Sequence, residues 1–239
     1  MPVLQTFTAR LVRSASLSEP TKHLEFEVDG LSRFGFVPGQ WLSLKQVKPD
    51  GEELTRAYSL ASPSDDKRFA LCLNRVQGGF MSNFLCDMKE GEEISCQGPF
   101  GDFILRPPLR DTIFIATGTG IAPFRSMLHW LLADASRHQS RSFFLLFGSR
   151  TEKDIYYHQE FLQLAAQHSN FNYLPTLSRG SPDWKGLRGY VQEHVPGIVR
   201  DRAEMNAYIC GLDKMIKANR DLLKGLGWDR KSIRYEKYD

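Results

Sequence analysis

Pro107-Pro108 constrains this chain most, because two patterns of apolar residues that call for different folds meet there. A proline pair offers no backbone N–H and fixes φ, so neither a helix nor a sheet ladder runs through it. Before the pair, apolar positions alternate. Leu24, Phe26 and Val28 are spaced by two, as are Phe69, Leu71 and Leu73. Trp41-Leu42-Ser43-Leu44 is a further run, entered through Phe36-Val37-Pro38-Gly39-Gln40. That period marks half-buried strands. Turn clusters separate them at Lys48-Pro49-Asp50-Gly51 and Ser62-Pro63-Ser64-Asp65-Asp66. About six short strands at this spacing predict a small antiparallel barrel, with a helical turn or two over 81–88. After the prolines, apolar runs at 112–116, 142–147, 172–177 and 207–210 alternate with amphipathic stretches. The last helix, over 213–226, closes at Gly225 or Gly227, and a final strand covers 233–238. Strands alternating with helices predict a parallel, doubly wound sheet. The expected fold is therefore two-domain: an antiparallel Greek-key β-barrel over 1–106 and an α/β doubly wound, Rossmann-like domain over 109–239.

Composition narrows the function classes. The chain has 239 residues, 41% hydrophobic and 25% charged, enough to bury a core. Its net charge of +3 carries no basic arm, which argues against nucleic acid. Residues 1–108 hold 12 Lys+Arg against 14 Asp+Glu, and the remainder 19 against 14. The second half is thus positive and suits an anionic ligand, although a solvated surface explains the same excess. Met1-Pro2-Val3-Leu4-Gln5 lacks the features of a signal peptide, and no apolar run is long enough to span a membrane. A cytoplasmic, monomeric protein is expected. Cys72, Cys86, Cys96 and Cys210 match no zinc or iron–sulfur spacing. Electrons leaving such a chain are expected to leave to another molecule.

Four stretches carry chemistry. In Arg56-Ala57-Tyr58-Ser59-Leu60-Ala61-Ser62, an extended backbone projects Arg56 and Tyr58 to one face and Ser59 to the other. A guanidinium fork matches a diphosphate, and a tyrosine ring can lie on an isoalloxazine. An ordinary strand with a surface arginine explains this heptapeptide equally. Gly118-Thr119-Gly120-Ile121-Ala122-Pro123 follows a strand and opens a helix, where glycines admit a pyrophosphate and the helix supplies free amides. The third glycine of the usual dinucleotide fingerprint is missing. Gly78-Gly79-Phe80-Met81-Ser82 lies between a barrel strand and a helix; its amides and the Ser82 hydroxyl suit a second pyrophosphate, as they suit a plain turn. Cys210-Gly211-Leu212-Asp213 joins a strand to a helix, where open α/β sheets bind ligands; a packed core cysteine accounts for it as well.

These motifs, in this order and at domain-scale spacing, resemble the ferredoxin–NADP⁺ reductase family, from Phe36-Val37-Pro38-Gly39-Gln40 to the C-terminus. The resemblance implies an FAD-binding barrel followed by a nucleotide-binding α/β domain. Arg56 would bind the FAD diphosphate, Tyr58 would stack on the flavin, and Ser59 would sit near the flavin nitrogen that receives hydride. Gly79, Met81 and Ser82 would close the diphosphate site, with Leu73 and Asn74 beside them in the cofactor set. Thr119, Gly120 and Pro123 would line the pyridine-nucleotide cleft. Cys210, followed by Gly211, would approach the nicotinamide. Glu236-Lys237-Tyr238 resembles the family's terminal Glu-x-aromatic. Tyr238 would cover the flavin's other face, with Glu236 beside the reaction centre. Asp239 after Tyr238 departs from the many members that end on the aromatic.

The function implied is an FAD-dependent NADPH reductase. It would move hydride between NADP(H) and flavin and pass single electrons to a small acidic carrier, ferredoxin or flavodoxin. Ser178-Arg179, matching a family position, and Arg150 are the candidates for holding the 2′-phosphate. The alternatives are a reductase component of an oxygenase system and a catalytically silent flavoprotein subunit. A dehydrogenase without flavin would leave Arg56–Ser59 unexplained.

Overall fold

The structure, a computed structural model, describes residues 5–31, 33–64, 67–138, 141–200 and 204–238. Met1 to Leu4, the turn residues Asp65 and Asp66, and Asp239 lie outside them. The chain packs into two units. One runs to Leu105 and includes Ala122–Trp130; the other comprises Arg106–Ile121 and the chain from Leu131 onward.

The first unit is a sheet of six antiparallel strands: β1 (Gln5–Ser16), β2 (Thr21–Val28), β3 (Trp41–Val47), β4 (Glu53–Ser59), β5 (Arg68–Asn74) and β6 (Glu93–Phe100). Their order is β4-β3-β6-β1-β2-β5. The two edges meet where Leu60 bridges Leu71 and the Ala61 N–H donates to the Ala70 carbonyl at 2.7 Å, so the sheet closes. Leu24, Phe26, Val28, Leu42, Leu44, Phe69 and Leu71 fill one core, with the Phe26 and Phe69 rings stacked at 5.3 Å. The period-two alternation thus points inward as expected. Helix α1 (Phe80–Asp87) lies in the connection that carries the chain from β5 to β6. The first nine residues of α2 (Ala122–Leu132) group with this unit. There Arg125 donates to the Ala61 carbonyl at 2.7 Å and Ser126 to the Ser62 carbonyl at 2.6 Å.

The second unit is a parallel sheet of β7 (Asp111–Thr117), β8 (Phe143–Ser149), β9 (Phe171–Leu177), β10 (Leu187–Arg188), β11 (Met205–Gly211) and β12 (Ile233–Lys237). The helices between them are α3 (Ala135–His138), α4 (His158–Gln167), α5 (Val191–Val199) and α6 (Asp213–Gly225). Ile113, Phe114, Ile115, Ala116, Phe143 and Leu145 are fully buried, which is why these runs show no alternation. Both halves of the expected fold class are present. Sequence periodicity did not reveal α5, because Pro196 interrupts it. Val191, Val195 and Val199, four apart, bury on the sheet, and that packing outweighs one lost helical hydrogen bond. Among the described residues no helix is long and apolar enough to cross a membrane.

Strand order β10-β9-β8-β7-β11-β12 places the start of this sheet in its middle. The chain moves outward from β7 to β10, then returns to the other side of β7 for β11 and β12. The carboxyl ends of β7 and β11 therefore flank the topological switch point, where open α/β sheets leave a ligand crevice.

Candidate functional site

In the first unit the candidate residues surround β4 and α1. Arg56 is exposed and donates to its neighbour's carbonyl, Thr55 O, at 2.8 Å. Tyr58, two residues on, is half-buried against the barrel core. Burial, with the nearby Cys86 adding to it, pushes the Tyr58 hydroxyl up to about 12, while the Arg56 guanidinium pulls the other way. That opposing pull is what residues sharing one face of a strand produce. Ser59, on the opposite face, is buried.

Helix α1 starts at Gly79 with no side-chain cap, so the N–H groups of its first turn are available to an anion. The turn before it is built by its own side chains. The Ser82 hydroxyl accepts from Val76 N at 3.1 Å and donates to Gly79 O at 3.2 Å; the Asn83 amide donates to Gly79 O at 2.6 Å and Val76 O at 3.0 Å. A Cβ on Gly79 would lie 2.8 Å from the Ser82 Oγ, so a larger residue there would have to displace the hydroxyl that shapes the turn. Arg75 grips Asp87 and Asn83, holding α1 to the end of β5 and keeping the Asp87 carboxyl below its ordinary range. Leu73 is buried in the core, Met81 is buried, and Asn74 accepts from the Thr21 hydroxyl at 2.5 Å. Leu73 therefore has only backbone to offer a ligand. An exposed guanidinium, a half-buried ring and an uncapped helix start form a donor set that suits a flavin diphosphate.

In the second unit the two glycine motifs interlock. A Cβ on Gly120 would sit 2.3 Å from the Cys210 carbonyl oxygen, and one on Gly211 would sit 2.7 Å from the Thr117 oxygen. Gly211 also has φ +135, which L side chains rarely adopt. The Thr117 hydroxyl accepts from Leu212 N at 3.3 Å. The loops after β7 and β11 thus touch backbone to backbone. Thr119 is half-buried on this loop; Pro123, in the first turn of α2, is buried and belongs to the first unit. Thr117 carried no motif and escaped sequence reading; its position just before the glycines was the only signal.

Cys210 pairs with Glu236 in the β11–β12 register, and the Tyr238 N–H donates to Gly211 O at 3.3 Å. Burial raises the Cys210 thiol well above its ordinary range, and the Glu236 carboxylate adds to the rise, while Tyr238 beside it pulls the other way. Cys210 is therefore a neutral thiol, suited to packing against a ring rather than to nucleophilic attack. The strand that brings these three together is itself anchored. Lys237 pairs with Asp213 at 2.5 Å, and Arg220 lies 3.8 Å over the Tyr235 ring.

Arg150 and Arg179 are joined through their backbones, Arg179 N donating to Arg150 O at 2.8 Å, and Ser178 N donates to Ser149 O at 3.1 Å. Both arginines are exposed, and among the described residues neither guanidinium has an ion-pair partner. No three His, Cys, Asp or Glu side chains converge on a metal site among the described residues. These pieces suit a dinucleotide: glycines at the switch point for the pyrophosphate and unpaired arginines for a further phosphate.

Comparison with known proteins agrees with both halves. The family description "Oxidoreductase FAD-binding domain" matches residues 8–104, and "Oxidoreductase NAD-binding domain" matches 114–221. The chain is 42% identical to Ferredoxin–NADP reductase B of Sorangium cellulosum, over 98% of each chain. It is 31% identical to the toluate 1,2-dioxygenase electron transfer component of Pseudomonas putida, over 97% of this chain and 67% of that one. Among solved structures, Amycolatopsis cytochrome P450 reductase GcoB superimposes with a TM-score of 0.88 at 28% identity, over 99% of this chain and 71% of that one. The ferredoxin–NADP⁺ reductase from Plasmodium falciparum with 2′P-AMP shares the fold, with a TM-score of 0.81 at 23% identity over 98% and 96%.

Proposed function

Because the chain belongs to the ferredoxin–NADP⁺ reductase family, we propose that it is an FAD-dependent NADPH reductase that exchanges single electrons with a separate ferredoxin-type carrier. The observation that carries the reading is the presence in one chain of two cradles: Arg56, Tyr58 and an uncapped α1, and the interlocked Gly120 and Gly211 at the switch point. When bound, FAD would supply the redox chemistry that links two-electron exchange with NADP(H) to one-electron exchange with the carrier.

The protein's part is to bind and orient. Residues 1–106 hold FAD and 109–239 hold the nucleotide. Arg56 and the first-turn amides of α1, with Gly79, Met81 and Ser82 shaping the turn, take the diphosphate. Tyr58 stacks on the ring system, Ser59 hydrogen-bonds at its reacting edge, and Leu73 and Asn74 border it. Thr119, Gly120, Pro123 and Gly211 receive the NADP pyrophosphate, and Arg150, Ser178 and Arg179 its 2′-phosphate. Cys210 packs against the nicotinamide, and Glu236 and Tyr238 flank it. The positive second half favours a small acidic protein as carrier. Four buried free cysteines accord with a cytoplasmic, reducing compartment, and we expect a monomer.

The test is anaerobic. Purified holoprotein should be yellow, bleach with one equivalent of NADPH, and then reduce a ferredoxin or flavodoxin from the same source. Protein that stays yellow with NADPH overturns the reading in favour of a silent flavoprotein subunit. Rapid bleaching with transfer only to an oxygenase component moves it to the oxygenase systems, which the toluate relative favours.

A further inference from the structure

Glu152 has no part in the binding roles above, yet it holds the segment that carries one of the two coenzyme arginines. It lies in the turn after β8, Glu152–Asp154, which Thr151 and Asp154 close by mutual hydrogen bonds. Its Oε1 accepts from Ser181 N at 2.8 Å and from the Ser181 hydroxyl at 2.6 Å. Those bonds hold the Glu152 carboxyl below its ordinary range, so it is ionised at neutral pH. The same loop is gripped from its far end. Arg188 donates to the carbonyls of Gly180 at 3.1 Å, Ser181 at 2.6 Å, Pro182 at 3.3 Å and Trp184 at 3.0 Å. The backbone bonds of Ser178 and Arg179 to Ser149 and Arg150 complete the stitching. Ser178 and Arg179 thus open a loop whose path is set by side chains reaching in from both neighbouring segments.

We propose that Glu152 is a positioning residue for coenzyme selectivity: by clamping Ser181 it sets the loop so that Arg179 and Arg150 converge on the 2′-phosphate of NADPH. The proposal rests on the assignment of those arginines made above. The charge of Glu152 works against a phosphate nearby, so its benefit comes through its hydrogen bonds and not its field. A variant that keeps the acceptor and drops the charge separates the two effects.

The experiment uses FAD-loaded enzyme and the variants Glu152→Ala, Glu152→Gln, Ser181→Ala, Arg150→Ala and Arg179→Ala. It measures kcat/KM for NADPH and NADH, and titrates 2′-phospho-AMP. Glu152→Ala should lose about tenfold in NADPH kcat/KM, carried by KM, and about tenfold in 2′-phospho-AMP affinity. NADH kcat/KM should move less than about twofold. Glu152→Gln, whose Oε1 can accept the same two bonds, should restore NADPH to at least wild-type efficiency. Ser181→Ala keeps the backbone bond and should fall between. If Arg179→Ala lowers the NADPH/NADH ratio while Glu152→Ala leaves it at the wild-type value, the clamp is overturned and the proposed function stands. Equal losses with both coenzymes in Glu152→Ala also overturn it, since they report general loop damage. If neither arginine variant changes the ratio, the 2′-phosphate assignment falls and the clamp falls with it.

Discussion

Gly120→Ala should destabilise the second unit far more than Gly118→Ala, although the two glycines share one loop. A Cβ on Gly120 would lie 2.3 Å from the Cys210 oxygen, 2.5 Å from its carbonyl carbon and 2.6 Å from Gly211 N. Ordinary contact begins at 3.4 Å, so the loop and β11 must part by roughly 1 Å. All three atoms are backbone, and no rotamer change relieves them. Gly211 cannot retreat freely, because its own α-carbon faces the Thr117 backbone on the other side. The cost should be about 3 kcal/mol, the upper end of the overpacking range. Gly118 has φ +56 with nothing within 4 Å of an added Cβ, so alanine there pays only the left-handed penalty of about 1 kcal/mol. Amide hydrogen exchange of β7 and β11 reads the second unit alone, which whole-chain unfolding of a two-unit protein does not. The Gly120 variant should lose about 3 kcal/mol of protection there, or roughly 10 °C in the midpoint of that unit. Equal protection in the two alanine variants would refute the interlock.

Three further outcomes are expected. Arg56→Ala should weaken FAD binding by roughly 2–3 kcal/mol, about 30- to 150-fold, the cost of losing a charge-assisted bidentate contact; absorbance of bound flavin measures it, and full occupancy at wild-type affinity sinks the role. Tyr238→Ser should bind NADP⁺ more tightly and discriminate less against NADH, because the ring no longer competes with the nicotinamide; removal of Asp239 alone is the control, and wild-type behaviour of the serine variant rejects the role. Cys96 is buried, which pushes its thiol from 9.0 up to about 12. A raised folded value means stability is intact below pH 9 and falls as pH rises toward 12, by about 2 kcal/mol at pH 10.5. The urea midpoint should fall between pH 8 and 10.5 by more in the wild type than in Cys96→Ala; an identical alkaline fall in the variant assigns it elsewhere.

Both architectures were legible in the sequence because each rests on a local period. Leu24, Phe26 and Val28 alternate since a barrel strand has one wet face, while residues 112–116 and 142–147 do not, since central parallel strands have none. Glycine motifs were legible for a similar reason: a strand followed by glycines and a helix is readable within a dozen residues. Helix α5 was not, because Pro196 breaks the local signal and only burial of Val191, Val195 and Val199 against the sheet outweighs it. Nor did the sequence show why Gly120 and Gly211 must be glycines. Each is excluded from any larger residue by a backbone about ninety positions away, which the β7–β11 pairing alone brings into contact. Glu152 and Ser181 are likewise 29 residues apart and share no motif. Composition and period decide what kind of element a segment becomes, because those are nearest-neighbour effects. Which backbones touch across the switch point, and which carboxylate clamps which loop, follow from strand order, and only the folded chain contains that information.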